Sequence, residues 1–214
     1  MIISDLVKEY LLIFKYKYLA SHNTFQSNNN NTSSKVAVFL VGFSENNRFL
    51  ENIEKLFRDK DYAVYYPIYN THEPVEVCFE KVKRLINEKN LSNVLLLGHS
   101  KGGLIARYCL LDSPTRVRIK NIITIATPHK GSIFGYLKIF SLYELAPNSK
   151  FLNFLNNESV LQPIILNIFP RIDNHVIPNR NLKLDNATNI EIDIVGHTRI
   201  LESDKLLLEI EKLI

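Results

Sequence analysis

Residues 93–108 read NVLLLGHSKGGLIARY, and this stretch decides the fold. It opens with an apolar run of the kind found in buried strands and continues into a segment of helical composition. Between the two lies a G-x-S-x-G pattern formed by Gly98, Ser100 and Gly102. In this context the pattern predicts a sharp strand-to-helix turn that holds Ser100 Oγ above a sheet, at the positive N-terminus of a helix. A glycine-rich turn without any chemistry remains the alternative at this point.

On both sides of this stretch, predicted strands alternate with predicted helices from residue 35 onward. The strands are expected at 36–43, 62–69, 93–98, 121–127, 160–168 and 189–196, and the helices at 46–59, 73–89, 101–112, 149–157 and from 201. Such alternation predicts an α/β fold with a mostly parallel sheet and helices on both faces. Ligands bind at the carboxyl ends of the strands in sheets of this kind.

The chain divides into three predicted segments. Residues 1–20 predict an amphipathic helix, residues 21–34 an Asn-rich flexible linker, and residues 35–214 a single α/β domain. The charges of Asp5, Lys8 and Glu9 exclude a simple membrane span, and the segment lacks the features of a secretory signal. Two interpretations of this helix remain open: it docks on its own domain, or it makes peripheral contact with a membrane.

Composition excludes several classes of protein. The 214 residues are 46% hydrophobic and 22% charged with a formal net charge of +4, as in an ordinary globular domain. Without a dense basic patch, no nucleic-acid partner is expected. The two cysteines, Cys78 and Cys109, predict reduced thiols and a cytoplasmic location, membrane-peripheral if the first helix contacts lipid. We find no metal-ligand spacing and no phosphate-binding loop, so the sequence predicts neither metal nor cofactor.

Three segments of the sequence resemble a known family. GHSKGGLIARY, IKNIITIATPHKGS and ELAPNSKFLNFLN are similar, in the same order, to segments of α/β-hydrolase lipases, a group that includes GPI inositol-deacylase-like enzymes. The likeness covers about residues 35–201 and implies an α/β-hydrolase fold with a minimal cap. It implies a lipase-like carboxylic ester hydrolase that uses a Ser-His-Asp triad and an acyl-enzyme intermediate, with lipid-like or medium-chain acyl esters as substrates. A thioesterase, amidase or GPI inositol-deacylase-like activity is the alternative, and a non-catalytic binding module is another.

The general base is expected to be His197. A serine hydroxyl needs a base to take its proton, and in this fold the chain order is serine, acid, histidine. His197 follows a predicted strand, and its segment GHTRIL resembles the histidine loop of the family. His175 also follows Ser100 and is the rival, with a place in the pocket wall as its simpler explanation.

The orienting acid is expected to be Asp173. Its segment DNHVIP is similar to the acid loop of the family. Asp185 also lies in a loop before the last strand, but a solvated surface carboxylate accounts for it more simply. Asp193 alternates with apolar residues inside a predicted strand and should face away from a catalytic loop.

The backbone amides of Phe43 and Lys101 are expected to form the oxyanion hole, since two N–H groups must face the developing charge. The family usually carries His-Gly before this first loop, whereas this chain has Val41-Gly42. Since backbone amides make the contact, this difference bears on the shape of the loop. The side chain of Lys101 is expected to point into solvent.

Residues 127–148 are rich in Ile, Phe, Tyr and Leu. An apolar segment at the mouth of a hydrolase site predicts either a lid or acyl-chain wall over 131–148, or a helix packed into the body of the domain. Both interpretations remain open.

Overall fold

A six-stranded parallel sheet forms the centre of the protein. The computed structural model describes residues 2–22, 35–157 and 164–214. The strands are β1 (Lys35–Leu40), β2 (Tyr62–Tyr65), β3 (Val94–His99), β4 (Ile119–Ile125), β5 (Ile164–Ile172) and β6 (Thr188–Val195). Their order across the sheet is β2-β1-β3-β4-β5-β6, and all five pairings are parallel. The predicted α/β class with its parallel sheet is therefore confirmed.

Helices connect the strands and cover the sheet. The α-helices are α1 (Ile2–His22), α2 (Glu51–Asp59), α3 (Val75–Glu88), α4 (Lys101–Tyr108), α5 (Ser113–Arg116), α6 (Lys150–Asn157) and α7 (Asp204–Glu211). Short 3₁₀ helices occupy Asn47–Leu50, Cys109–Leu111, Ile133–Leu137, Phe140–Leu145, Asn179–Leu182 and Arg199–Glu202. No helix of the described residues combines the length and the apolar character needed to cross a bilayer.

Successive residues of β1 pack into two different cores, one on each face of the sheet. Val38 and Leu40 pack with the buried residues of α3 and α4. Ala37 and Phe39 pack on the opposite face with those of α2 and α7. Because side chains alternate along a strand, a continuous apolar run such as residues 36–40 of β1 fills both cores.

Several strand ends differ from the predicted ones, and the largest differences, of four residues each, are at the ends of β2 and β5. Strand β2 stops at Tyr65 instead of 69, since Pro67 has no N–H to donate to a neighbouring strand. Strand β5 continues to Ile172, four residues beyond its predicted end, and its register shifts between Pro170 and Ile172. The predicted start of this strand, 160–163, lies outside the described residues.

Helix α1 packs on the α/β domain and also exposes apolar residues. Tyr16 is only 4% exposed and its ring lies 4.8 Å from that of Phe49, while Asp5 pairs with Arg199 at 2.9 Å. The helix continues to His22, two residues into the predicted linker, and the rest of that linker (23–34) lies outside the described residues. One side of α1 is thus docked on its own domain, as one of the two interpretations predicted.

The apolar segment between β4 and α6 does not form the packed α-helix that was one of its two interpretations. Its two 3₁₀ helices, Ile133–Leu137 and Phe140–Leu145, pack against each other in place of one α-helix. A bond from the amide of Ser132 to the carbonyl oxygen of Leu145 closes the segment at 2.7 Å. Phe140 is 64% exposed and Leu137 60%, so the segment presents apolar side chains outward.

Candidate active site

Ser100 occupies a strained turn between β3 and α4. Its backbone angles are φ 53° and ψ −125°, a conformation that costs non-glycine residues free energy. Neighbouring positions tolerate only glycine: a Cβ on Gly98 would lie 2.4 Å from the backbone of Gly102, and a Cβ on Gly102 would lie 2.0 Å from the carbonyl oxygen of Leu40. The close approach of strand and helix thus requires the glycines of the G-x-S-x-G pattern.

His197 and Asp173 form a buried hydrogen-bonded pair. Asp173 follows β5 and His197 follows β6, and the distance from His197 Nδ1 to Asp173 Oδ2 is 2.7 Å. The other carboxylate oxygen of Asp173 accepts the amides of His175 and Val176 at 2.7 and 2.8 Å. The carboxylate is therefore fully held by its own loop and by the imidazole.

The charges of this pair shift both pKa values toward the charged forms. Burial alone would raise the pKa of Asp173, but the charge and hydrogen bond of His197 and the two amides outweigh burial and lower it. Burial alone would lower the pKa of His197, but the charge and hydrogen bond of Asp173 outweigh burial and raise it. A histidine with a raised pKa is a stronger proton acceptor than a free one.

A cavity of about 440 Å³ brings Ser100 and His197 together at the carboxyl ends of the strands. Among the described residues, no hydrogen bond joins Ser100 Oγ to the imidazole; such contacts are often long before substrate binds. Most of the cavity wall is apolar, and it includes Phe43, Tyr10 and Leu142. The site is thus suited to a substrate with an apolar portion.

The two residues expected to supply the oxyanion amides both lie near Ser100. Phe43 is in the loop after β1 and lines the cavity, and Lys101 is the first residue of α4. The amide of the preceding Gly42 donates to Glu45 Oε2 at 2.6 Å. This internal bond shapes the loop in a chain that has Val41 in place of the family's histidine.

The prediction for the side chain of Lys101 was wrong. The residue is 1% exposed, and its Nζ donates to the carbonyl oxygens of Thr71 and Glu73 and to Ser141 Oγ. Position 101 faces inward because α4 starts directly under the turn, and the three oxygens compensate for burying the ammonium group. Burial lowers the pKa of Lys101.

The amino-acid sequence of this chain matches a known family of domains. A family model described as the PGAP1-like alpha/beta domain matches residues 65–198, a span that holds Ser100, Asp173 and His197. The chain belongs to this family. The resemblance to the α/β-hydrolase lipases seen in the sequence is thereby confirmed.

Individual relatives of this PGAP1-like domain are distant. A putative esterase/lipase 3 of Mycoplasma pneumoniae is 27% identical over 115 residues, which is 50% of this chain and 42% of that protein. A triacylglycerol lipase of Pseudarthrobacter phenanthrenivorans is 42% identical over 54 residues, or 25% of this chain and 16% of that protein. The chain therefore spans less than half the length of these two relatives.

The fold of the PGAP1-like domain also occurs in solved structures. The mature Bacillus licheniformis lipase BlEst2 superposes with a TM-score of 0.69 at 15% identity, over 89% of this chain and 95% of that one. At this identity the likeness concerns the fold alone.

The alternative base, His175, lies in the cavity wall, and the alternative acids, Asp185 and Asp193, lie away from His197. The ring of His175 lies 4.7 Å from that of His197, and burial with the nearby charge of His197 lowers its pKa to about 4. Asp185 pairs with Lys130 at 3.0 Å on the surface. Asp193 pairs with Arg171 at 2.6 Å and is also exposed. Neither aspartate bonds to His197.

Three further residues of the site were not predicted from the sequence. Glu9 of α1 is fully buried and accepts the amides of Thr198 and Arg199, directly after His197, at 2.7 and 2.8 Å. Glu45 and His99 form a buried pair with a distance of 2.7 Å between Oε1 and Nδ1. Nothing in their sequence context marks these polar side chains as buried, because the hydrogen-bond partners that satisfy them are distant in the chain.

Among the described residues, one cluster of ligand atoms has the spacing that a metal ion needs. Ligand atoms of Glu45, His99 and His197 lie within 4.8 Å of one another. However, Glu45 and His99 already use both of their polar atoms in hydrogen bonds, and His197 is bound to Asp173. The cluster is therefore satisfied as a hydrogen-bonded network and fits a metal poorly.

Proposed function

We propose that the protein is a lipase-like carboxylic ester hydrolase that forms an acyl-enzyme intermediate. The observation that carries the proposal is a strained, glycine-flanked Ser100 that shares one apolar cavity with the buried His197–Asp173 pair. These residues follow strands β3, β5 and β6, whose carboxyl ends lie along the same edge of the parallel sheet.

In the first half-reaction, Ser100 Oγ attacks the ester carbonyl carbon while its proton passes to His197 Nε2. Asp173 holds the opposite nitrogen, fixes the tautomer and stabilises the imidazolium that forms. The amides of Phe43 and Lys101 stabilise the negative oxygen of the tetrahedral intermediate. His197 then gives the proton to the departing alcohol, and the acyl group stays on Ser100.

In the second half-reaction, water attacks the acyl-enzyme. His197 takes a proton from the water and returns it to Ser100 Oγ as the carboxylic acid leaves. All protons are balanced within the site, and every step is made by residues of this chain.

The proposed substrates are lipid-like or medium-chain acyl esters. The cavity is bordered by Tyr10 and Ile13 of α1 and by Phe134 and Leu137 of the 3₁₀ segment. An alkyl chain buried against such a wall contributes about 0.8 kcal/mol for each methylene. Rates should therefore increase from short to medium acyl chains.

Purified protein and p-nitrophenyl esters of graded chain length test the proposal. Ser100→Ala should lower turnover by about 10⁴-fold or more. Ser203→Ala is the matched control, because the hydroxyl of this helix N-cap makes no capping bond. Unchanged turnover in Ser100→Ala would refute the assignment. Thioesters, amides and acylated inositols in the same assay separate the alternative acyl-transfer activities.

We further propose that α1 contacts a lipid surface, at the cytoplasmic face of a membrane. Six exposed apolar residues at helical spacing form its outer face: Ile3, Val7, Tyr10, Leu11, Phe14 and Tyr18. Lys8 and Lys15 are also exposed and would attract anionic headgroups. Because the same helix borders the cavity, lipid bound here lies next to Ser100.

Flotation with anionic phospholipid vesicles tests this contact. The double variant Leu11→Asp with Phe14→Asp should lose vesicle binding and keep its kcat/KM on a soluble short-chain ester. Leu208→Asp, at a similarly exposed position of α7, is the control. Equal vesicle binding by the double variant and the control would contradict the lipid contact.

A further inference from the structure

A second carboxylate–imidazole pair lies beneath the site and takes no part in the proposed mechanism. His99 Nδ1 lies 2.7 Å from Glu45 Oε1, and their side chains are 0% and 7% exposed. Burial alone would raise the pKa of Glu45, but the adjoining charge and hydrogen bond of His99 outweigh burial and lower it. A buried charge is costly unless it is paired, so the pair needs a structural reason.

Each member of the pair also binds a different catalytic loop. Glu45 Oε2 accepts the amide of Gly42 at 2.6 Å, in the loop that carries Phe43. The distance from His99 Nε2 to the carbonyl oxygen of His197 is 3.1 Å. Both nitrogens of the ring face acceptor oxygens, so the ring makes both bonds only when each nitrogen carries a hydrogen. The chain of bonds therefore runs from the first loop through Glu45 and His99 to the histidine loop.

We propose that Glu45 and His99 are positioning residues that fix the Phe43 loop against the His197 loop across Ser100. This inference rests on the proposed function. Glu45 and His99 act on the reaction through the backbone of Gly42 and His197. The pair joins the expected oxyanion amide and the base into one unit, although the two loops are about 150 residues apart in the chain.

The pair should act on turnover more than on substrate binding. Loss of the bonds lets the Phe43 amide and the imidazole move relative to Ser100, and small misplacements of this kind cost up to about a hundredfold in rate. The apolar cavity wall that binds an acyl chain is formed mostly by other elements. A fall in kcat with an unchanged KM is therefore the expected signature.

Three variants of glutamate separate positioning from general stability. Glu45→Ala should lower kcat about ten- to hundredfold on a soluble ester. Glu45→Gln can accept from Gly42 with its oxygen and donate to His99 with its amide, so kcat should return to within about threefold of wild type. Glu54→Ala is the matched control, since Glu54 is a buried glutamate of α2 bound to Arg58 and Tyr66. Glu54→Ala should lower the melting temperature and leave kcat unchanged.

A double variant shows whether Glu45 and His99 act as one unit. Glu45→Ala combined with His99→Gln should cost no more in kcat than the worse single variant, because one chain of bonds can be broken only once. If Glu45→Ala does not fold, His99→Gln alone carries the test, with an expected fall of about tenfold in kcat.

The possible outcomes are distinct. A folded Glu45→Ala or His99→Gln with wild-type kcat, additive losses in the double variant, or a Glu45→Gln as impaired as Glu45→Ala would each overturn the inference. A wild-type protein that hydrolyses no ester would instead remove the proposed function, on which the inference rests.

Discussion

The substitution Glu9→Ala removes a contact between α1 and the loop that carries His197. Glu9 is the acceptor for the amides of Thr198 and Arg199, at 2.7 and 2.8 Å, and it is fully buried. A Cβ on Gly196 would lie 2.5 Å from Glu9 Oε2, so the carboxylate packs closely under the loop. Alanine leaves both amides without an acceptor.

The loss of these two hydrogen bonds determines how far the free energy of unfolding should fall. Hydrogen bonds to a charged group contribute about 1.5–3 kcal/mol each. Partial relaxation of the loop and entry of water reduce the sum to about 3 kcal/mol. For a domain of this size, each kcal/mol shifts the melting temperature by about 2–4 °C. Glu9→Ala should therefore melt about 6–12 °C lower, and kcat should fall because His197 belongs to the released loop.

Thermal unfolding followed by circular dichroism, together with ester turnover, measures both effects. Glu9→Gln keeps one acceptor oxygen and should fall between wild type and Glu9→Ala. Glu80→Ala, on the exposed surface of α3, is the control and should match wild type. If Glu9→Ala has the same melting temperature and the same turnover as Glu80→Ala, α1 does not support the histidine loop and the reasoning is refuted.

Three other substitutions have defined outcomes. Asp173→Asn should lower kcat by about 10⁴-fold. His197 must be neutral to act, and Asp173 raises the pKa of His197. The acid limb of the residual kcat/KM profile should therefore lie at lower pH than in the wild-type profile. Gly103→Ala would place its Cβ 2.0 Å from Thr127 Oγ1 and should cost about 1–3 kcal/mol of stability, which urea unfolding measures and the added change Thr127→Ala should partly restore. Lys101→Met leaves three buried oxygens without a donor and should lower the urea midpoint, whereas a midpoint equal to that of wild type would show that the buried ammonium contributes nothing.

Most of the sheet could be predicted because its signal is local. Strand β3 is an apolar run buried on both faces, and the last four residues of β4 are buried as well. The turn at Ser100 follows from glycines that only a close strand–helix approach requires. The strand ends were less predictable. Strand β5 extends through Pro170 beyond its apolar run, since its pairing with β6 continues past a register shift.

The residues of the site were likewise predictable only where the signal is local in the sequence. His197 and Asp173 could be proposed from chain order and from loops that resemble the family, whereas the partners of Glu9 and Glu45 depend on tertiary contacts. A charged residue is expected at the surface unless a partner compensates for its burial. For Lys101 that expectation was wrong, because its three oxygen partners lie 28 to 40 residues away in the chain.

The most direct measurement of the central claim is covalent labelling of the serine. Wild-type protein treated with a fluorophosphonate should gain one adduct by intact-mass analysis, and peptide mapping should place it on Ser100. Ser100→Ala should gain none, and His197→Gln should react far more slowly because the hydroxyl has lost its base. An unlabelled wild type, or an adduct that persists in Ser100→Ala, would contradict the account.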